Sequence, residues 1–167
     1  MKRMSLCSVP LLSLLVIVSM AFPGCAQPPA ADDEAARKAG VTIMELIKKA
    51  GEERDAEKLI ALCLNSPEFA FFGDGKGYSF DEFVKTERQE FPSWKSIQIR
   101  WDTVTVKVLA PDVVASYAYF HQVLTAKDGA ETALKGDVTW ISVRRGGEWK
   151  LLYGHAWHFR DEAAKER

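Results

Sequence analysis

Four runs near the end of the chain decide its fold: residues 97–109 (IQIRWDTVTVKVL), 113–126 (VVASYAYFHQVLTA), 132–145 (TALKGDVTWISVRR) and 149–159 (WKLLYGHAWHF). Apolar residues recur in them at every second position, the period of a strand that buries one face. The runs are separated by Ala110-Pro111-Asp112, by Asp128-Gly129 and by Gly146-Gly147. Short Asp-Gly and Gly-Gly turns between long alternating runs mark antiparallel hairpins. In the first run Ile97, Ile99 and Trp101 hold one face before the emphasis moves to Val104, Val106 and Val108 on the other, so a bulge or bend is expected midway. The pattern predicts a four-stranded antiparallel meander.

Upstream of it the period is helical. Ile43, Leu46, Ile47 and Ala50 fall at i, i+3, i+4 and i+7, one apolar stripe on a helix over residues 35–50 that Gly51 interrupts. Asp55 caps a second short helix whose Leu59, Leu62 and Cys63 share a face. Residues 68–72 read as a short strand and residues 73–77 (GDGKG) as a turn. Ser79 and Glu82 have the spacing of a capping box, which starts a third helix running to about residue 90, where Pro92 stops it. Helices followed by a meander make an α+β domain with three N-terminal helices.

Composition bounds the function. With 22 Lys and Arg against 23 Asp and Glu, and a net charge of −1, no basic field is available to hold nucleic acid. At 47% hydrophobic residues the chain can build a core, which excludes a disordered chain. The apolar residues are unevenly spread, however. Lys2 and Arg3 precede an apolar stretch over residues 11–21, and Phe22-Pro23-Gly24-Cys25 follows it. That layout reads as a secretory signal over residues 1–24, since about 12 apolar residues cannot cross a core of roughly 30 Å. Cleavage nearby and an uncleaved anchor beginning near Leu6 are the other readings. Loss of the leader removes Lys2 and Arg3 and takes the net charge to −3. Residues 25–34, with Pro28 and Pro29, form a tether, and residues 161–167 a charged tail.

Gly24-Cys25 at the end of the apolar stretch resembles the lipobox of bacterial lipoproteins. The resemblance implies that Cys25 is diacylated and becomes the first residue of an exported protein held on the cell envelope membrane. Acyl chains add about 0.8 kcal/mol of membrane affinity per buried methylene, and two chains make anchoring durable. Cys7 leaves with the leader, so Cys63 is the one unmodified thiol, read as a small buried hydrophobe.

The order of elements in residues 36–158 resembles the SnoaL-like branch of the nuclear transport factor 2-like superfamily. Its local carriers are Arg54-Asp55-Ala56 with Leu59 and Leu62, Gly73-Asp74-Gly75 before the third helix, and Gly147 through His155, similar to the family's Gly-x-Trp-x-Ile-x-His-x-His ending. The resemblance implies a cone-shaped, curved antiparallel sheet around the helices, with a cavity at its open end for a small apolar or amphipathic molecule. It spans cyclases, isomerases, dehydratases and epoxide hydrolases, besides binding and assembly modules without catalysis, and fold alone does not choose among them.

Alternation on the last run puts Trp149, Leu151, Tyr153, His155 and Trp157 on one face, which the resemblance makes the inward one. His155 is then the candidate acid or base, because imidazole titrates near neutral pH, with a core histidine as the other reading. Tyr119 and Asp137 lie on neighbouring strands within cross-strand reach and complete a candidate catalytic set, with Asp102 as an alternative carboxylate. Tyr117, His121, Trp140, Tyr153 and Trp157 are the expected pocket walls, since aromatic walls with few polar groups suit an apolar ligand. Three histidines at these spacings offer no metal set, and no cofactor motif is present. Absence of a Tyr before Tyr78 argues against ketosteroid isomerase chemistry. A homodimer through the sheet face is the remaining expectation, because exposed aromatic faces seek partners.

Overall fold

The computed structural model describes residues 30–160. The leader, Cys25 and the tail over residues 161–167 lie outside the described residues. Helix α1 covers Ala30–Glu53 and α2 Ala56–Leu62; strands β1 (Ala70–Gly73) and β2 (Lys76–Tyr78) follow, then α3 (Phe80–Glu90). A single turn of tighter helix at Phe91–Ser93 leads into β3 (Trp94–Ala110), β4 (Val113–Ala126), β5 (Glu131–Arg145) and β6 (Glu148–Arg160). The sheet is ordered β2-β1-β6-β5-β4-β3 and does not close. Three helices on such a sheet agree with the expected α+β architecture.

Two details differ from expectation. The sheet is mixed, because β1 runs parallel to β6, pairing Phe72 with His155, while β2 folds back antiparallel on β1. A parallel partner far along the chain leaves no turn signature in the sequence. Helix α1 also starts inside the stretch read as tether and runs through Gly51, turning instead at Arg54, whose φ is 55°. Gly51 is a contact residue: a Cβ there would stand 2.8 Å from Ile99 Cδ1 on β3. Glycine lets the helix lie close on the sheet at a modest propensity cost.

The caps match the sequence reading. Asp55 accepts the Lys58 amide, and Ser79 with Glu82 closes a capping box. The bulge expected in β3 falls at Asp102, between the pairs Trp101–Phe120 and Thr103–Tyr119. It restores parity, so that Ile97, Ile99, Trp101, Val104 and Val106 all pack toward the helices. Arg37 donates to the Val106 carbonyl (3.0 Å), and Glu52 accepts the Ile99 amide (3.2 Å). Both bonds cover backbone on the edge strand β3, which would otherwise be open to pairing.

The core lies between α1–α3 and the concave face of the sheet. Met44, Phe83, Ala118 and Leu151 are fully buried there or nearly so, and each large one contributes about 1.5–3 kcal/mol by leaving water. Cys63 is buried, its thiol pushed up to about 12 by burial, and so is no nucleophile near neutral pH.

Candidate functional site

Helix α3 brings its i and i+4 side chains, Phe83 and Glu87, to the sheet. The box at Ser79 fixes where the helix begins, and Arg88 clasps Glu57 of α2 through two bonds (2.6 and 3.1 Å), which fixes its rotation. Opposite α3 lies an apolar chamber of about 160 Å³, walled by Phe71, Phe83, Trp101, Phe120, Trp140 and Ala156 among others. Phe71 stacks on Trp140 with centroids 5.3 Å apart, and Phe83 tilts against Phe71 at 5.1 Å. A Cβ on Gly154 would stand 2.3 Å from the Trp140 ring and 2.7 Å from Phe71. That glycine is what lets both rings lie flat against β6.

The chamber shares Phe71, Phe83, Glu87, Gln122 and His158 with an outer mouth of about 740 Å³. Three of these are polar, and they form a collar between the two spaces. His158 is held from behind by Asp74, whose carboxylate accepts the His158 amide (2.8 Å) and faces Nδ1 at 3.0 Å. A carboxylate only accepts, so Nδ1 carries the proton and Nε2 remains the basic nitrogen. Asp74 itself sits at φ 50° in the β1–β2 turn, with its amide bonded to the Ala156 carbonyl. Asp-Gly at 74–75 supplies the two left-handed positions that a tight hairpin requires. Burial, and then Glu90, push the Glu87 carboxyl up to about 7. A protonatable acid and a tethered imidazole therefore border one apolar chamber, the components of general acid–base chemistry.

Of the residues expected from sequence, only Trp140 lines this chamber. For Tyr153, His155 and Trp157 the reason lies in strand β6. Ser142 pairs with Leu151 and Ile141 with Tyr153, so Leu152 is an extra residue and the alternation inverts beyond it. Gly154, Ala156 and His158 face inward, and Tyr153, His155 and Trp157 take the outer face. Tyr117, Tyr119, His121 and Asp137 share that outer face. Tyr119 pairs with Asp137, Asp137 with Trp157 and Thr139 with His155. His155, Asp137 and Tyr119 thus share the outer face of the sheet, outside the chamber.

That outer face has its own order. His121 meets Asp102 at 3.1 Å, and Arg100 reaches the same carboxylate at 2.6 Å. Tyr117 and Tyr119 meet edge to face at 5.2 Å, and the hydrogen bond between them pushes the Tyr117 hydroxyl up to about 12. Asp74, Glu87, Gln122 and His158 are not among the site residues expected from the sequence. The signal available was the Leu151-Leu152 doublet, where strict alternation fails, followed by small residues at 154 and 156 opposite Trp140. Among the described residues no group of three or more His, Cys, Asp or Glu could hold a metal ion, and no helix is long and apolar enough to cross a membrane.

A family profile described as a SnoaL-like domain matches residues 41–156. No curated protein matches the chain. Among solved structures, a proposed dehydratase of the NTF2-like family from Streptomyces avermitilis is similar at TM-score 0.69 and 17% identity, covering 76% of this chain and 98% of that one. A proposed scytalone dehydratase from Novosphingobium aromaticivorans gives TM-score 0.71 at 13% identity, covering 78% and 89%. A protein with a cystatin-like fold from Caulobacter vibrioides gives TM-score 0.65 at 17% identity, covering 79% and 95%. At these identities the likeness is one of fold.

Proposed function

Since the chain belongs to the SnoaL-like domain family, we propose that its chamber binds a small, largely apolar molecule and that His158 and Glu87 move protons on it, as in a cofactor-independent isomerisation or dehydration. The observation that carries this reading is His158, tethered by Asp74 in the wall of an aromatic chamber. Its Nε2 is the base that removes a proton from carbon, and Glu87 is the acid that donates to the oxygen where charge develops. Positioned proton transfer of this kind contributes about 10²–10⁴-fold in rate. Two of the similar folds carry the name of a proposed dehydratase, a likeness of fold that agrees with this reaction class.

The test is a panel of one- to three-ring alcohols and ketones, with binding read by quenching of Trp101 and Trp140 and with solvent deuterium exchange beside the carbonyl read by NMR. Binding by at least one member is expected, with exchange that His158→Ala slows at least 100-fold. No binding across the panel, or exchange that ignores His158→Ala, would overturn the reading.

The membrane anchor on Cys25 is part of the same proposal and rests on the leader sequence. Exposed Tyr119, Tyr153, Trp157 and Phe159 on the outer face favour a second copy of the chain as its cover. Cys25→Ser is expected to move the protein from the membrane to the soluble fraction, where light scattering reads a dimer mass. Retention in the membrane would favour an uncleaved leader, and a monomer mass would leave the outer face for another partner.

A further inference from the structure

The chamber and its collar are specific enough to name a ligand class, an inference that rests on the proposed function and narrows it. A space of about 160 Å³ matches the roughly 150 Å³ of an apolar protein cavity that holds one benzene-sized ring and stays dry when empty. Its walls supply aromatic and aliphatic surface alone until the collar. Two rings, Phe71 and Trp140, are stacked as a slab, and Trp101 stands edge-on to Phe120 at 6.2 Å.

Polarity enters the chamber at one level, where Glu87, Gln122 and His158 border both spaces. Between them they offer both hydrogen-bond donors and acceptors, the amide and the acid donating and Nε2 accepting. An oxygen function at that level satisfies them; a bare hydrocarbon leaves them facing apolar surface.

Charge at the mouth discriminates further. Asp74, Glu87 and Glu90 border it with Lys76 as the one lysine, and Lys76 lies over the Tyr78 ring at 4.6 Å. An anion meets three carboxyl groups there. A cation meets Asp74 and Glu90 as well as Lys76 outside and a half-buried Glu87 inside; what counts against it is the hydration it gives up on entering an apolar chamber.

We infer that the ligand is a neutral compound that buries a single six-membered carbocycle in the chamber and places one hydroxyl or carbonyl oxygen at the Glu87–Gln122–His158 collar. Hydration sets the discrimination. A charged substituent at the collar gives up far more solvation than a hydroxyl does, so a loss of at least tenfold in affinity is expected for either sign of charge.

The experiment titrates the full chain at pH 7 with cyclohexanol, cyclohexylammonium, cyclohexanecarboxylate and 1-decalol, reading Trp fluorescence and saturation-transfer NMR. Cyclohexanol is expected to bind, with both charged analogues at least tenfold weaker. Equal or tighter binding of either charged analogue overturns the inference. Binding of 1-decalol without cyclohexanol also overturns it, since the ligand then needs two rings, while the proposed function stands. If no member of this set and none of the larger panel binds, the proposed function falls with it.

Discussion

Gly136→Ala is expected to destabilise the domain by about 3 kcal/mol, the upper end of the usual cost of overpacking a core position, because the groups it meets cannot yield. Gly136 faces inward on β5 opposite His158. A Cβ there would stand 2.0 Å from the Trp157 carbonyl oxygen and 2.7 Å from the Phe120 ring. The ring could tilt, but the carbonyl belongs to the backbone of the neighbouring strand and can retreat only if β5 and β6 separate. That separation would carry His158 away from Asp74, so the damage reaches the collar as well as the core. At about 2–4 °C per kcal/mol for a chain of this size, a fall in melting temperature of at least about 6 °C should be seen by calorimetry. A variant that melts with the parent would show that the two strands are not held as close as described.

The second large effect is a pH dependence. Glu87 titrates near 4.5 in an unfolded chain and is pushed up to about 7 in the native one, by burial first and by Glu90 next. The native state therefore holds this proton more tightly, and the stability associated with it is fully present below about pH 4.5 and lost as pH rises through about 7. Given 1.36 kcal/mol for each tenfold difference in proton affinity, the loss is about 2–3 kcal/mol for a half-buried group. Glu87→Gln keeps the shape and cannot ionise. It should match the parent at pH 4 and exceed its stability by about 2–3 kcal/mol at pH 8, measured by urea unfolding across that window. Asp74, Lys76, Glu90 and His158 border the same space and are present in both proteins, so the difference between the two curves reports Glu87 together with its coupling to Glu90. Parallel curves would mean that the carboxyl is well solvated and does not serve as the acid.

How far the site was legible follows from the parity of two strands. On β3 the alternation visibly changes face between Trp101 and Val104, and a bulge at Asp102 accounts for it. On β6 the residues beyond the bulge, Gly154 and Ala156, are too small to signal which face they occupy, while Tyr153, His155 and Trp157 continue the apolar alternation of Trp149 and Leu151. Aromatic side chains on the outer face therefore read as the inward set. A one-residue slip exchanges the two faces of a strand, so every site residue expected on that strand moved together.

What the sequence by itself determined is local: the caps at Asp55 and Ser79, the hairpins at Gly129 and Gly146-Gly147, the bulge in β3 and, from their order, the α+β architecture. Each depends on residues within a few positions of one another, where turn geometry and side-chain period act directly on the chain. The tertiary structure alone decided the parallel seating of β1 on β6, the inversion at Leu152 and the meeting of Asp74 with His158, which are 84 residues apart. Those outcomes depend on how tightly Phe71, Phe83 and Trp140 can pack over Gly154. Packing of that kind is settled between distant segments in space, and no period along the chain records it.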